Sequence, residues 1–116
     1  MTPPELMALL SRGRFPLHAE SATQASIEAF LTSHGVTFAR EVSLTPADRI
    51  DFMVGDIGVE VKCNRANKPA IYRQLVRYAL RHEVAALILA TNKAMGLPPL
   101  IEGKPVYYLS LGRGWL

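Results

Sequence analysis

Hydrophobic and polar positions change period several times along the chain, and each change marks an element. Residues 4–11 (Pro4-Glu5-Leu6-Met7-Ala8-Leu9-Leu10-Ser11) predict a short helix with Pro at its start. Arg12-Gly13-Arg14-Phe15-Pro16 breaks it. Residues 19–34 predict an amphipathic helix, with Ala22, Ala25 (or Ser26), Ala29 and Phe30 joined by Ile27 and Leu31 at helical spacing. His34-Gly35 ends it, since Gly follows helix C-termini readily. Residues 36–44 alternate as a strand through Val36, Phe38, Val42 and Leu44, and Thr45-Pro46-Ala47-Asp48 is a turn. Strands at 49–54 and 57–63 follow, then a helix over 68–82 with a stripe of Ile71, Leu75, Val76 and Ala79. Residues 84–91 form a continuous apolar run of strand length, which predicts a strand covered on both faces. Residues 92–104, with Gly96, Pro98, Pro99 and Gly103, read as irregular, and Val106-Tyr107-Tyr108-Leu109 is a last strand. The order is α-α-β-β-β-α-β-β, an α/β arrangement without repeats or linkers.

The hairpin over 49–63 stands out. Ile57, Val59, Val61 and Cys63 alternate onto one strand face, leaving Glu60 and Lys62 on the other. A two-residue Gly55-Asp56 turn sets Asp51 opposite Glu60; a turn over Gly55 to Gly58 sets it opposite Lys62. Either register gathers the three charges on one face. A solvated strand with a cross-strand ion pair is the commonplace reading of such a pattern. Two carboxylates beside an ammonium also suit a divalent cation and a hydrolytic water.

Length and composition bound the rest. The chain of 116 residues predicts one domain, and 49% apolar residues are enough for a core. No apolar run is long enough to cross a bilayer, and Met1-Thr2-Pro3-Pro4-Glu5 lacks a signal-peptide pattern, so a cytoplasmic protein is expected. The single Cys63 excludes an intramolecular disulfide and a Cys-based zinc site, and its place on the apolar strand face reads as a small buried hydrophobe. Gly-rich phosphate loops are absent, which argues against a nucleotide cofactor. His18, His34 and His82 lack metal-ligand spacing. The net charge is +3, nine of the thirteen basic residues are Arg, and Arg65, Lys68, Arg73, Arg77 and Arg81 fall just after the acidic hairpin. A basic segment beside an acidic cluster suits a polyanion held against a metal site.

With Asp51 on the second strand, Glu60-Val61-Lys62 on the third and Gln74-Leu75-Val76-Arg77-Tyr78 on the next helix, the chain resembles the PD-(D/E)XK nuclease superfamily. Asp51 matches the first acidic position and Glu60-Val61-Lys62 the E-x-K. Gln74 to Tyr78 resembles the Q-x3-Y of RecB-like and lambda-exonuclease-like members. Glu20 resembles the helical Glu that many members aim at the metal, with Glu28, two turns on, as the alternative; His18 and Gln24 sit nearby. Ile50 stands where the superfamily's name has Pro. The resemblance covers roughly residues 19–91. It implies a restriction endonuclease-like core, α-β-β-β-α-β, as in Holliday junction resolvase-like proteins. A mixed central sheet is flanked by helices, with a short N-terminal helix and a C-terminal strand added.

The resemblance also implies a chemistry: metal-dependent hydrolysis of DNA phosphodiesters, with Mg²⁺ or Mn²⁺ as cofactor. Asp51, Glu60 and the Val61 backbone carbonyl would bind the metal, and Glu20 would do so through water or at a second site. Lys62 would orient the attacking water or help deprotonate it, and Gln74 would hold Lys62, water or substrate. Arg73, Arg77 and Arg81 recur every four residues as a ridge beside the Gln74–Tyr78 edge, so the ridge, Tyr78, and Arg65 and Lys68 ahead of the helix are the expected DNA contacts. The ordinary alternative is a solvated helix face. An endonuclease of phage, mobile-element or repair type suits the small size; an exonuclease, a catalytically inactive DNA-binding module and a plain α/β interaction protein are the alternatives. So small a nuclease has little surface for a whole duplex, which suggests a homodimer or larger assembly. Trp115 and the Tyr107-Tyr108 pair would pack the core or a subunit contact.

Overall fold

The computed structural model describes residues 1–64 and 67–112. Arg65, proposed above as a DNA contact, and Trp115 lie outside the described residues. Three helices and six strands follow in the order α1 (Pro3–Leu10), α2 (Glu20–Ser33), β1 (Ala39–Ser43), β2 (Arg49–Val54), β3 (Ile57–Lys62), α3 (Lys68–Ala79), β4 (Ala86–Thr91), β5 (Leu100–Ile101) and β6 (Lys104–Ser110). The strands form one mixed sheet ordered β1-β2-β3-β4-β6-β5. β1, β2 and β3 make an antiparallel meander, while β3, β4 and β6 run parallel. The parallel β3–β4 pair requires a crossover, and α3 supplies it. Among the described residues, no helix is long and apolar enough to cross a membrane.

Local chemistry explains the boundaries. Thr2 and Glu5 form a reciprocal capping box at α1, and the Asn67 side chain accepts the Ala70 N–H at the start of α3. The β2–β3 loop is the two-residue Gly55-Asp56 turn, because Val54 pairs with Ile57. Gly55 there has φ 61°. The β5–β6 hairpin turns at Glu102 and Gly103, both at positive φ (51° and 75°), as a type I′ turn requires. That hairpin places a short strand inside the stretch expected to be irregular; a two-residue strand carries no periodicity to detect.

Two cores fill the two sheet faces. Ile57, Val59, Val61 and Cys63 pack with α1 and α2 residues such as Leu6, Leu10, Ile27 and Leu31. Met53, Leu87 and Leu89 pack on the other face with Ile71, Leu75, Tyr78 and Ala79 of α3. Every residue of β4 is buried, as its continuous apolar run implied.

The stripes of both long helices need correction. In α2 the buried residues are Thr23, Ile27 and Leu31, whereas Ala25 and Ala29 are exposed. Thr23 escapes a hydropathy count because its hydroxyl is satisfied locally, donating to the Pro16 and Ala19 carbonyls. In α3, Tyr78 replaces Val76 on the fully buried face.

Candidate active site

The hairpin register resolves in favour of Asp51 opposite Glu60. The β2–β3 pairs run Val54–Ile57, Met53–Gly58 and Phe52–Val59, and the next step joins Asp51 to Glu60. At that step the regular ladder stops. The Val61 N–H, which alternation aims at β2, goes to Asp51 Oδ2 at 2.8 Å, and the Asp51 N–H donates to Glu60 Oε1 at 3.2 Å. On the other side, β1 breaks at the same level. Arg40–Phe52 and Val42–Ile50 pair normally, but between them Glu41 sits at φ 50°. A non-glycine there is strained, and such strain collects at functional sites.

Lys62 completes the group, with Nζ 3.3 Å from Glu60 Oε2. Glu60 is only 3% exposed. Burial and then the neighbouring Asp51 carboxylate push its pKa up to about 8, against the opposing pull of Lys62. Asp51 is also raised, by burial first, although the Val61 N–H and Lys62 draw it down. Glu20, first residue of α2, is raised by burial, with Lys62 opposing and Asp51 adding. Three carboxylates thus lie in the field of Lys62, with Arg40 adding its charge at Asp51. Like charges crowded in a partly buried place raise one another's pKa values at a cost in stability.

Glu28, the alternative to Glu20, is engaged by Arg40. Its guanidinium holds Glu28 Oε1 at 2.6 Å and Gln24 Oε1 at 3.2 Å, and it lies over the Phe52 ring. Glu28 and Gln24 are therefore occupied elsewhere. Glu20 lines a cleft of about 430 Å³ together with Lys62, Cys63, Asn67, Gln74 and Arg77. Asp51 and Glu60 are not among the lining residues; Glu60 is joined to the cleft through its ion pair with Lys62. Among the described residues, no three His, Cys, Asp or Glu side chains converge as a metal-binding group. The donor set still fits a small hard cation, since Mg²⁺ needs only one or two carboxylates and fills its shell with water and substrate oxygens. The Val61 carbonyl points to the same side as its N–H, toward Asp51, and is a third oxygen for such an ion.

Tyr78 corrects an expectation. It is fully buried and no surface contact for DNA. Its hydroxyl donates to the Arg49 carbonyl at 2.9 Å and accepts from Gln74 Nε2 at 2.7 Å. Burial, then Glu60 and Asp51, push its pKa far up, so it stays a neutral donor. Its work is to fix Gln74 at the cleft wall. The Arg73–Arg77–Arg81 ridge is partly committed as well. Arg77 Nε donates to Asp48 Oδ1 at 2.8 Å, and Arg81 lies 3.8 Å from Glu83. Arg73 and Lys68 are exposed and, among the described residues, outside any ion pair. Cys63 is buried as expected, with Sγ 3.5 Å from the Thr23 hydroxyl.

Sequence reasoning missed a clamp just beyond Lys62. Asn64, at φ 61°, receives Asn92 Nδ2 on its Oδ1, gives its N–H to Asn92 Oδ1, and donates Nδ2 to the Leu17 carbonyl. The ends of β3 and β4 and the segment leading to Glu20 are thereby tied together. An Asn just past each of two predicted strands was the available signal, since Asn tolerates the left-handed region. No protein-family model, curated protein or solved structure matches this chain.

Proposed function

We propose that this protein is a divalent-metal-dependent nuclease with a restriction endonuclease-like core, hydrolysing phosphodiester bonds in DNA. The observation that carries the reading is the pair of half-buried Asp51 and buried Glu60. It is held by hydrogen bonds that replace the β2–β3 ladder, with Lys62 joining Glu60 to the open cleft. Two adjacent carboxylates with raised pKa values beside an ammonium support the site reading.

Asp51, Glu60 and the Val61 carbonyl would hold Mg²⁺ or Mn²⁺. The bound ion supplies Lewis acidity at the phosphate and an acidified water. Lys62 faces the cleft, where its ammonium orients the water and stabilises charge growing on the phosphate oxygens. Gln74, steadied by the Tyr78 hydroxyl, offers its amide to Lys62, water or substrate. Glu20 lines the cleft with Lys62 as a third carboxylate. The basic residues around it supply the attraction for a polyanion.

The test is cleavage of labelled single-stranded, duplex, flap and four-way-junction DNA with Mg²⁺, Mn²⁺ or EDTA. Glu60→Gln is assayed alongside. Cleavage that needs metal and disappears in Glu60→Gln is expected. Failure of the folded wild-type protein to cut any of these substrates overturns the reading.

A further inference from the structure

A second cleft, of about 600 Å³, opens between the α1–α2 loop and the end of β6. Arg12, Arg14, Tyr108 and Ser110 are among its walls, and among the described residues no acidic side chain lines it. Arg12 and Arg14 are exposed and, among the described residues, neither is in an ion pair. Among the described residues, no strand pairs with the outer edge of β6 beyond Lys104 and Pro105. Leu111 gives its N–H to the Thr91 carbonyl of β4. By alternation, Tyr108 and Ser110 turn their N–H groups outward to that edge. Two guanidinium groups and outward backbone N–H groups, without an opposing carboxylate, match the needs of a phosphate.

The lining of this cleft shares no residue with that of the candidate active-site cleft, but both lie toward the C-terminal ends of the parallel strands. Lys62 is in register with Thr91, and Thr91 with Ser110, across three parallel strands. Two strand spacings separate Lys62 from Ser110, roughly 10 Å. That is about three nucleotides at 3.4 Å each. The α1–α2 loop spans the same edge. It carries Arg12 and Arg14 at the second cleft, then meets Asn64 through the Leu17 carbonyl, and ends at Glu20 beside Lys62.

We infer that the α1–α2 loop is the principal nucleic-acid track, with Arg12 and Arg14 holding a backbone phosphate a few nucleotides from the bond that Lys62 faces. The α3 ridge is then secondary, in keeping with the carboxylate partner that Arg77 already has. The inference rests on the nuclease reading for the nature of the polyanion.

The deciding experiment measures binding of fluorescein-labelled single-stranded and duplex DNA by anisotropy, in EDTA, over a salt series. Wild type is compared with Arg12→Ala/Arg14→Ala and with Lys68→Ala/Arg73→Ala, which remove equal charge. Circular dichroism confirms folding, and cleavage with Mg²⁺ is assayed in parallel. Arg12→Ala/Arg14→Ala should bind about tenfold more weakly, with a salt slope shallower by about 1 to 2, and Lys68→Ala/Arg73→Ala should change less. Equal losses in the two variants, or none in the first, overturn the track while wild-type cleavage leaves the nuclease reading standing. Wild-type binding without cleavage sinks the nuclease reading alone, and the salt slopes still judge the track. A wild type that neither binds nor cuts DNA overturns both.

Discussion

Asp51 gives its backbone N–H to Glu60 Oε1 and takes the Val61 N–H on its own Oδ2, so each carboxylate occupies a donor that the sheet ladder leaves free. The two side chains are therefore held rigidly side by side. Their repulsion is held in place by hydrogen bonds, and its consequences can be measured.

The first consequence is a pH-dependent stability of the metal-free protein. Glu60 titrates near 8 when folded, against an ordinary 4.5. Between those values the folded state keeps a proton that the unfolded state has released. Stability is full below about 4.5, falls as pH rises, and levels off above about 8. Asp51 and Glu20 are raised too and act in the same direction. Glu60→Gln has no such proton to lose. It should be the more stable protein at pH 8 in EDTA, by an amount on the order of a few kcal/mol. Thermal melts from pH 5 to 8.5 that run parallel for the two proteins would contradict the assignment.

Metal binding should release protons. A cation beside Glu60 favours the carboxylate, so up to about one proton leaves per ion bound near pH 7. Calorimetry of Mg²⁺ or Mn²⁺ binding in buffers of different ionisation enthalpy counts it. Binding heats that do not vary with buffer would mean that Glu60 is not a ligand.

Lys62→Ala separates holding the metal from using it. The ammonium faces the cleft and binds no cation, so metal affinity should stay within a few-fold of wild type. Cleavage should drop by about 100-fold or more, as when a donor to developing charge is removed. Retained cleavage in this variant would remove Lys62 from the chemistry.

Gln74 and Tyr78 should behave as one unit. Tyr78→Phe leaves the Arg49 carbonyl without its hydroxyl donor at a part-buried position, costing about 0.5–1.5 kcal/mol. It also frees Gln74 to turn from the cleft. The effects of Tyr78→Phe and Gln74→Ala on cleavage should therefore be far from additive. Additive effects in a double-mutant cycle would show that the hydroxyl does not position the amide.

Gly58 is a packing prediction beside the site. A Cβ there would stand 2.4 Å from Ile50 Cδ1 and 3.0 Å from Leu87 Cδ2. Ile50 precedes Asp51, so Gly58→Ala must turn the Ile50 side chain aside next to the residue that carries the carboxylate. A loss of about 1–3 kcal/mol is expected, together with reduced cleavage. Chemical denaturation showing wild-type stability would place Ile50 elsewhere.

The sequence alone determined the parts of this protein that depend on neighbours in the chain. Alternation in Ile57, Val59, Val61 and Cys63 announced β3 and its buried face, and the apolar run before Thr91 announced a central strand. Proximity of Asp51, Glu60 and Lys62 followed from a short turn and a period of two. Tertiary structure alone decided whatever depends on distant partners. Glu20 rather than Glu28 faces the cleft because Arg40, twelve residues beyond Glu28, claims the latter. Tyr78 is buried because the Arg49 carbonyl, 29 residues away, satisfies its hydroxyl. Arg77 leaves the basic ridge for Asp48, and the Asn64–Asn92 pair closes over 28 residues. A side chain's period marks the face it takes; which polar group meets it there is set by how the elements pack.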